Sequence, residues 1–174
     1  INYGHLHYGE NKVQEALDKW SLIKEKKPKL KLHLVGKLQT NKVKFALKIF
    51  DYIHSVDSEK LAKKIADEEI KQNKKVKIFL QVNIGNEDQK SGISKNNLSS
   101  LLSYCKNLGL DVIGLMCLPP ANIDPIPFFK ELNKMSQSLS LPELSMGMSS
   151  DYGEAIENSS TFIRVGSSIF GERS

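Results

Sequence analysis

Short runs dense in Val, Ile and Leu alternate with longer amphipathic stretches along this whole chain, and that alternation restricts the fold more than any other feature. His5-Leu6-His7-Tyr8 reads as a strand closed by Gly9, and Asn11 is placed to cap a helix carrying Val13, Ala16, Leu17 and Trp20 on one face. Leu30 to Val35 alternates with period two up to Gly36, and Thr40 or Asn41 opens a helix to about Phe50. Asp51 to Val56 predicts a third strand, followed by a helix from Ser58 to about Asn73. Val76 to Asn83 is the clearest strand, uninterrupted and rich in β-branched residues. A helix capped by Ser94 and stopped by Gly109 leads to a buried strand, Leu110 to Met116. Four prolines between Pro119 and Pro127 enforce a loop before a helix from Phe128 to Leu139. The strand Glu143 to Met146, a helix near Asp151 to Glu157, the strand Phe162 to Val165 and a helical turn near Ser168 to Phe170 complete the chain.

Seven strand-then-helix units without a low-complexity linker predict one α/β domain over residues 1–174, with a parallel sheet and helices outside. A closed parallel barrel needs eight strands. Because the text opens at Ile1 in what reads as the middle of an element, the expected absentee is the first strand. Seven strands alone would leave two raw edges, an aggregation liability.

Composition narrows the function classes. With 40% hydrophobic residues the chain can bury a substantial core. The net charge of +5 and pI near 9.1 come from lysines spread over nearly every predicted helix, which reads as solvated faces rather than a nucleic-acid footprint. Cys105 and Cys117 sit in apolar runs without metal-ligand spacing and read as buried thiols of a reducing compartment. With neither an 18-residue apolar run nor a signal-peptide pattern, the expected location is the cytoplasm.

Candidate site residues gather at predicted strand ends. The turns after the last two strands, at Ser149 and at Gly166-Ser167-Ser168, offer a hydroxyl and free backbone N–H groups, which suits a phosphate; small residues tolerated in tight turns are the plainer reading. Arg164 lies inside a run that otherwise reads as a buried strand, and it shares the chain's arginine complement only with Arg173. A planar, permanently charged donor there serves either a ligand or an acid on the neighbouring strand. Gly9-Glu10-Asn11 and His33 fall at strand C-termini, where barrels keep functional residues, although Asn11 can be only a cap and His33 only a satisfied interior histidine. Lys90 sits in a polar loop and reads first as a solvated lysine.

Tyr8 to Glu15, His33 to Lys42, Lys90-Ser91-Gly92, Gly114-Leu115-Met116, Leu144 to Asp151 and Arg164 to Gly171 together closely resemble the pyridoxal 5′-phosphate (PLP) homeostasis proteins, single-domain relatives of the alanine racemase barrel. The resemblance implies a TIM-type (β/α)₈ barrel of the PLP fold type III class. It also implies a non-catalytic carrier or regulator in vitamin B6 and amino-acid homeostasis. It puts the cofactor phosphate at Ser149, Gly166 and Ser167, Arg164 beside the pyridine nitrogen, and Asn11 near the ring. A permanent cation at that nitrogen disfavours its protonation and weakens the ring as an electron sink.

One departure stands out. In relatives the covalent Schiff-base lysine ends the first strand, and no lysine of this chain, Lys37 and Lys90 included, matches that motif. The expected partners are PLP and PLP-dependent enzymes, with no nucleic acid or membrane, and the expected state is a monomer. The alternative is a PLP-dependent amino-acid racemase, which in this fold draws a catalytic tyrosine from a C-terminal β domain. A basic nucleic-acid or protein-binding module rests on pI alone.

Overall fold

A computed structural model describes residues 1–87 and 89–171; Arg173 lies outside the described residues. Seven strands run parallel in sequence order: β1 (His7–Glu10), β2 (Lys31–Leu34), β3 (Tyr52–Val56), β4 (Lys77–Val82), β5 (Asp111–Cys117), β6 (Glu143–Met148) and β7 (Phe162–Arg164). Between and after them come α1 (Val13–Lys26), α2 (Val43–Ile49), α3 (Glu59–Gln72), α4 (Leu98–Asn107), α5 (Ile126–Ser138), α6 (Tyr152–Glu157) and α7 (Ser167–Phe170). The α/β alternation read from the sequence is therefore the fold.

The sheet curls on itself. The ring of Phe162 on β7 lies 6.5 Å from that of His7 on β1, six strands away along the sheet. Its centroid is also 5.6 Å from His33, 5.9 Å from His54 and 5.3 Å from Phe79, so Phe162 plugs the lumen that β1 to β4 wrap. The strands are apolar on both faces because one face lines this lumen and the other meets the helices. β4 shows it best, with every residue from Ile78 to Val82 buried. Across the helix layer, Trp20, Leu47, Phe50, Ile65, Leu101 and Phe129 close the outer core. Burial of this kind contributes about 1.5–3 kcal/mol per large side chain.

Local signals set some element ends. Ser58 accepts from the Leu61 N–H at 3.4 Å and starts α3, and Asn73 ends it in the left-handed region. Gly109, at φ +69°, follows α4 where a stop was expected. Several boundaries differ from the sequence reading by a few residues, among them three starts. β1 starts at His7 and continues through Gly9 to Glu10. α1 starts at Val13 with Lys12, not Asn11, at its N-cap. α5 begins at Ile126 rather than Phe128, since a proline in the first helical turn loses no intrahelical donor. Among the described residues, no helix is long and apolar enough to cross a membrane.

Candidate functional site

The ends of β6 and β7 meet as the small-residue turns suggested. Ser149 Oγ accepts from the Gly166 N–H at 3.1 Å and from the Ser168 N–H at 3.5 Å, so the two turns form one cluster. Gly147 makes the first turn possible: its φ is +91°, and an added Cβ would stand 2.5 Å from Ala155 Cβ. Asp151 Oδ1 then accepts from the Met148 N–H at 2.6 Å and fixes the chain before α6. The second turn opens α7, where the Ile169 and Phe170 N–H donate to the Gly166 carbonyl and the Ser168 N–H to Ser149 Oγ, so that among the described residues the Ser167 N–H is the first-turn amide left open. α7 is a single turn, so what it offers is individual N–H groups rather than a helix dipole.

Arg164 sits beside this cluster with neutral partners. Its Nη1 donates to Ser145 Oγ at 2.7 Å on the adjacent β6, and its Nη2 to the Cys117 carbonyl at 2.9 Å on β5, two strands away. The acid on an adjacent strand, considered from the sequence, is not what holds it. Burial pushes the Arg164 pKa down from its ordinary value, and the nearby Cys117 and Asp151 push it up. A guanidinium carries five N–H donors, so two such bonds leave others for a ligand. A cleft of about 350 Å³ opens at Arg164, with Leu118, Pro119, Gly147, Met148 and Asp151 in its wall. A second depression, lined by Glu59, Ser99 and Tyr104, lies on the outer helices and shares no residue with it.

The other expected residues fare differently. Asn11 is exposed at the end of β1, where its carbonyl oxygen would lie 2.1 Å from a Cβ placed on Gly36. Among the described residues, no hydrogen bond joins Asn11 to the Ser149–Arg164 cluster, and it does not cap α1 through its side chain. Lys90 pairs with Glu87 at 2.7 Å and reaches the Pro119 carbonyl at 3.4 Å, which is more than a solvated loop lysine does.

His33 is buried, with its ring stacked on Tyr52 at 4.1 Å between centroids. Its Nδ1 lies 2.9 Å from His54 Nε2 and its Nε2 lies 2.9 Å from His7 Nδ1. Burial lowers the His33 pKa to about 3, with His7 adding to the effect. Burial also holds His54 well below the ordinary histidine value, with help from His33 and Arg164. His54 Nδ1 in turn lies 2.8 Å from Ser145 Oγ. Sequence reasoning missed His7, His54 and Ser145. Two histidines and a serine at lumen-facing positions of otherwise apolar strands were the available signal.

A parallel barrel with a hydroxyl, amide and guanidinium cluster at the ends of its last two strands defines the class of protein, and direct comparison agrees. The model of the alanine racemase N-terminal domain family matches residues 2–174. The chain belongs to that family and, within it, to the pyridoxal phosphate homeostasis proteins. The protein of that name from Aquifex aeolicus is 40% identical over 182 residues, covering 99% of this chain and 79% of its own. PipY of Synechococcus elongatus PCC7942, solved without PLP, superposes with a TM-score of 0.92 at 35% identity, covering 98% of this chain and 84% of its own; its PLP-bound structure gives 0.87. Alanine racemase of Clostridium difficile shares the fold, with a TM-score of 0.76 at 13% identity over 99% of this chain and 46% of its own.

Proposed function

We propose that this chain binds pyridoxal 5′-phosphate without turning over a substrate, as a carrier or regulator in vitamin B6 and amino-acid homeostasis, with residues 1–174 acting as one domain. The donor set fits the cofactor. Ser149 Oγ–H and the Ser167 N–H would supply neutral donors for a phosphate dianion, and the Gly166 N–H, which donates to Ser149 Oγ in the free protein, would turn to the phosphate on binding. On this reading Arg164 would face the ring nitrogen with a fixed cation, and Asn11, just past the end of β1, would lie near the ring. Bound PLP would bring a reactive aldehyde on an electron-accepting ring. The chain's own part is to hold that ring with its nitrogen facing a cation, which disfavours the protonated, strongly electron-withdrawing form.

The observation that carries this reading is the joining of the β6 and β7 turns through Ser149 beside an arginine held by neutral partners. PLP-dependent enzymes are the expected recipients or clients, the protein acts as a cytoplasmic monomer, and neither nucleic acid nor membrane is a partner.

Equilibrium dialysis with PLP and with pyridoxal tests the reading. The expected result is saturable PLP binding at one site per chain, pyridoxal binding weaker by at least about tenfold for want of the phosphate contacts, and no racemisation of alanine. Equal affinity for the two ligands would contradict the phosphate cradle. Because no lysine of this chain is assigned as an anchor, borohydride treatment should leave its mass unchanged. An adduct on any lysine from Lys12 to Lys134 would contradict that assignment.

A further inference from the structure

Five side chains from five strands form one continuous hydrogen-bonded line through the barrel lumen: Arg164 (β7), Ser145 (β6), His54 (β3), His33 (β2) and His7 (β1). Its links measure 2.7, 2.8, 2.9 and 2.9 Å. The Ser145–His54 link spans the lumen, since β6 and β3 are not neighbours in the sheet. Ser145 has 0% exposure and His54 1%, so bulk solvent does not reach these atoms.

The donor chemistry gives the line a direction. Arginine can only donate, so Ser145 Oγ accepts from it. The single hydroxyl proton of Ser145 then goes to its other partner, His54 Nδ1. A neutral His54 that accepts at Nδ1 carries its proton on Nε2 and donates to His33 Nδ1. By the same rule His33 donates from Nε2 to His7 Nδ1. The line ends at exposed His7, whose own proton sits on the ring nitrogen pointing away from it. The opposite direction would leave the Ser145 hydroxyl proton with no acceptor in a fully buried site, which costs about 1–3 kcal/mol.

We infer that Ser145 and His54, with His33 and His7 behind them, are positioning residues for Arg164: a one-way relay of fixed tautomers that presents the Ser145 lone pair to the guanidinium and so sets its plane against the ligand. The role in ligand binding rests on the proposed PLP function; the relay itself does not. With the Cys117 carbonyl as its second acceptor, Arg164 is held at two points without a carboxylate, so its full charge stays available to the cofactor ring.

Two measurements test this. In protein labelled with ¹⁵N-histidine, long-range ¹H–¹⁵N correlation at pH 7 without ligand should show His33 and His54 both neutral with the proton on Nε2. An Nδ1 proton on either ring overturns the relay, whether or not PLP binds. For the ligand arm, Ser145→Ala should weaken PLP binding about tenfold and shift the absorption band of bound PLP, while Ser145→Thr, which keeps the hydroxyl, should restore both. Loss of thermal stability in Ser145→Ala with affinity and band unchanged would reduce Ser145 to a structural role and overturn the positioning claim. Failure of the unsubstituted chain to bind PLP would remove the function reading and the positioning claim with it, and leave the histidine tautomers to decide the relay.

Discussion

Lowering the pH from 7 to 5 should destabilise this protein steeply, because its lumen is built on neutral imidazoles. The His33 pKa is about 3 in the fold, held down first by burial, against 6.5 in the unfolded chain. A folded pKa below the unfolded one means that the unfolded state takes up a proton which the fold refuses. Stability is therefore full above about pH 6.5 and lost as the pH falls towards 3. Between pH 7 and pH 5, His33 alone removes about 2 kcal/mol. His54, held lower by burial and by its neighbours His33 and Arg164, adds in the same direction, and His7 adds less because it is exposed. The carboxylates with lowered values, Asp67 and Glu68, owe the shift first to hydrogen bonds from Lys63 and Lys64, and their stabilisation is lost only below their ordinary 3.8 and 4.5. The window from pH 5 to 7 thus belongs to the histidines. Urea unfolding followed by Trp20 fluorescence at pH 7, 6 and 5 reads the loss directly. His54→Phe, which removes one refused proton, should shrink the loss between pH 7 and pH 5 whatever its effect at pH 7. Stability independent of pH across this window, or an unchanged slope in the variant, would refute the neutral-histidine account.

Gly147→Ala should cost about 1–3 kcal/mol in urea unfolding, since the added Cβ meets Ala155 in a left-handed backbone, and should loosen PLP by moving Ser149. Cys105 and Cys117, both pushed up to about 12 by burial, should resist iodoacetamide at pH 8 in the fold, where about one thiol in ten thousand is ionised, and react at once in urea.

The alternation of apolar runs and amphipathic stretches made the parallel barrel legible, because each strand shielded on both faces must carry apolar residues on both. That the chain turns tightly at Ser149 and at Gly166-Ser167 was legible for a related reason: small residues at strand ends mark turns. The histidine line was not. Period two places His54 and Ser145 on the lumen faces of β3 and β6, but which residues meet across a lumen depends on stagger and curvature, neither of which a strand's own sequence records. Asn11 failed as a helix cap for a local reason, since the side chain at the N-cap position is that of Lys12 and α1 starts one residue later than expected. Arg164 was read correctly as needing partners, but the chain meets it with a serine hydroxyl and a carbonyl instead of an acid.

The measurement closest to the central claim is the PLP dissociation constant of the unsubstituted chain beside those of Arg164→Ala and Lys90→Ala. Arg164, beside the joined turns, makes two part-buried hydrogen bonds to Ser145 and the Cys117 carbonyl, whereas Lys90 pairs with Glu87 in a loop. The account predicts a loss of about 10- to 100-fold for Arg164→Ala and little change for Lys90→Ala. Equal losses in the two variants, or undiminished binding without Arg164, would contradict it.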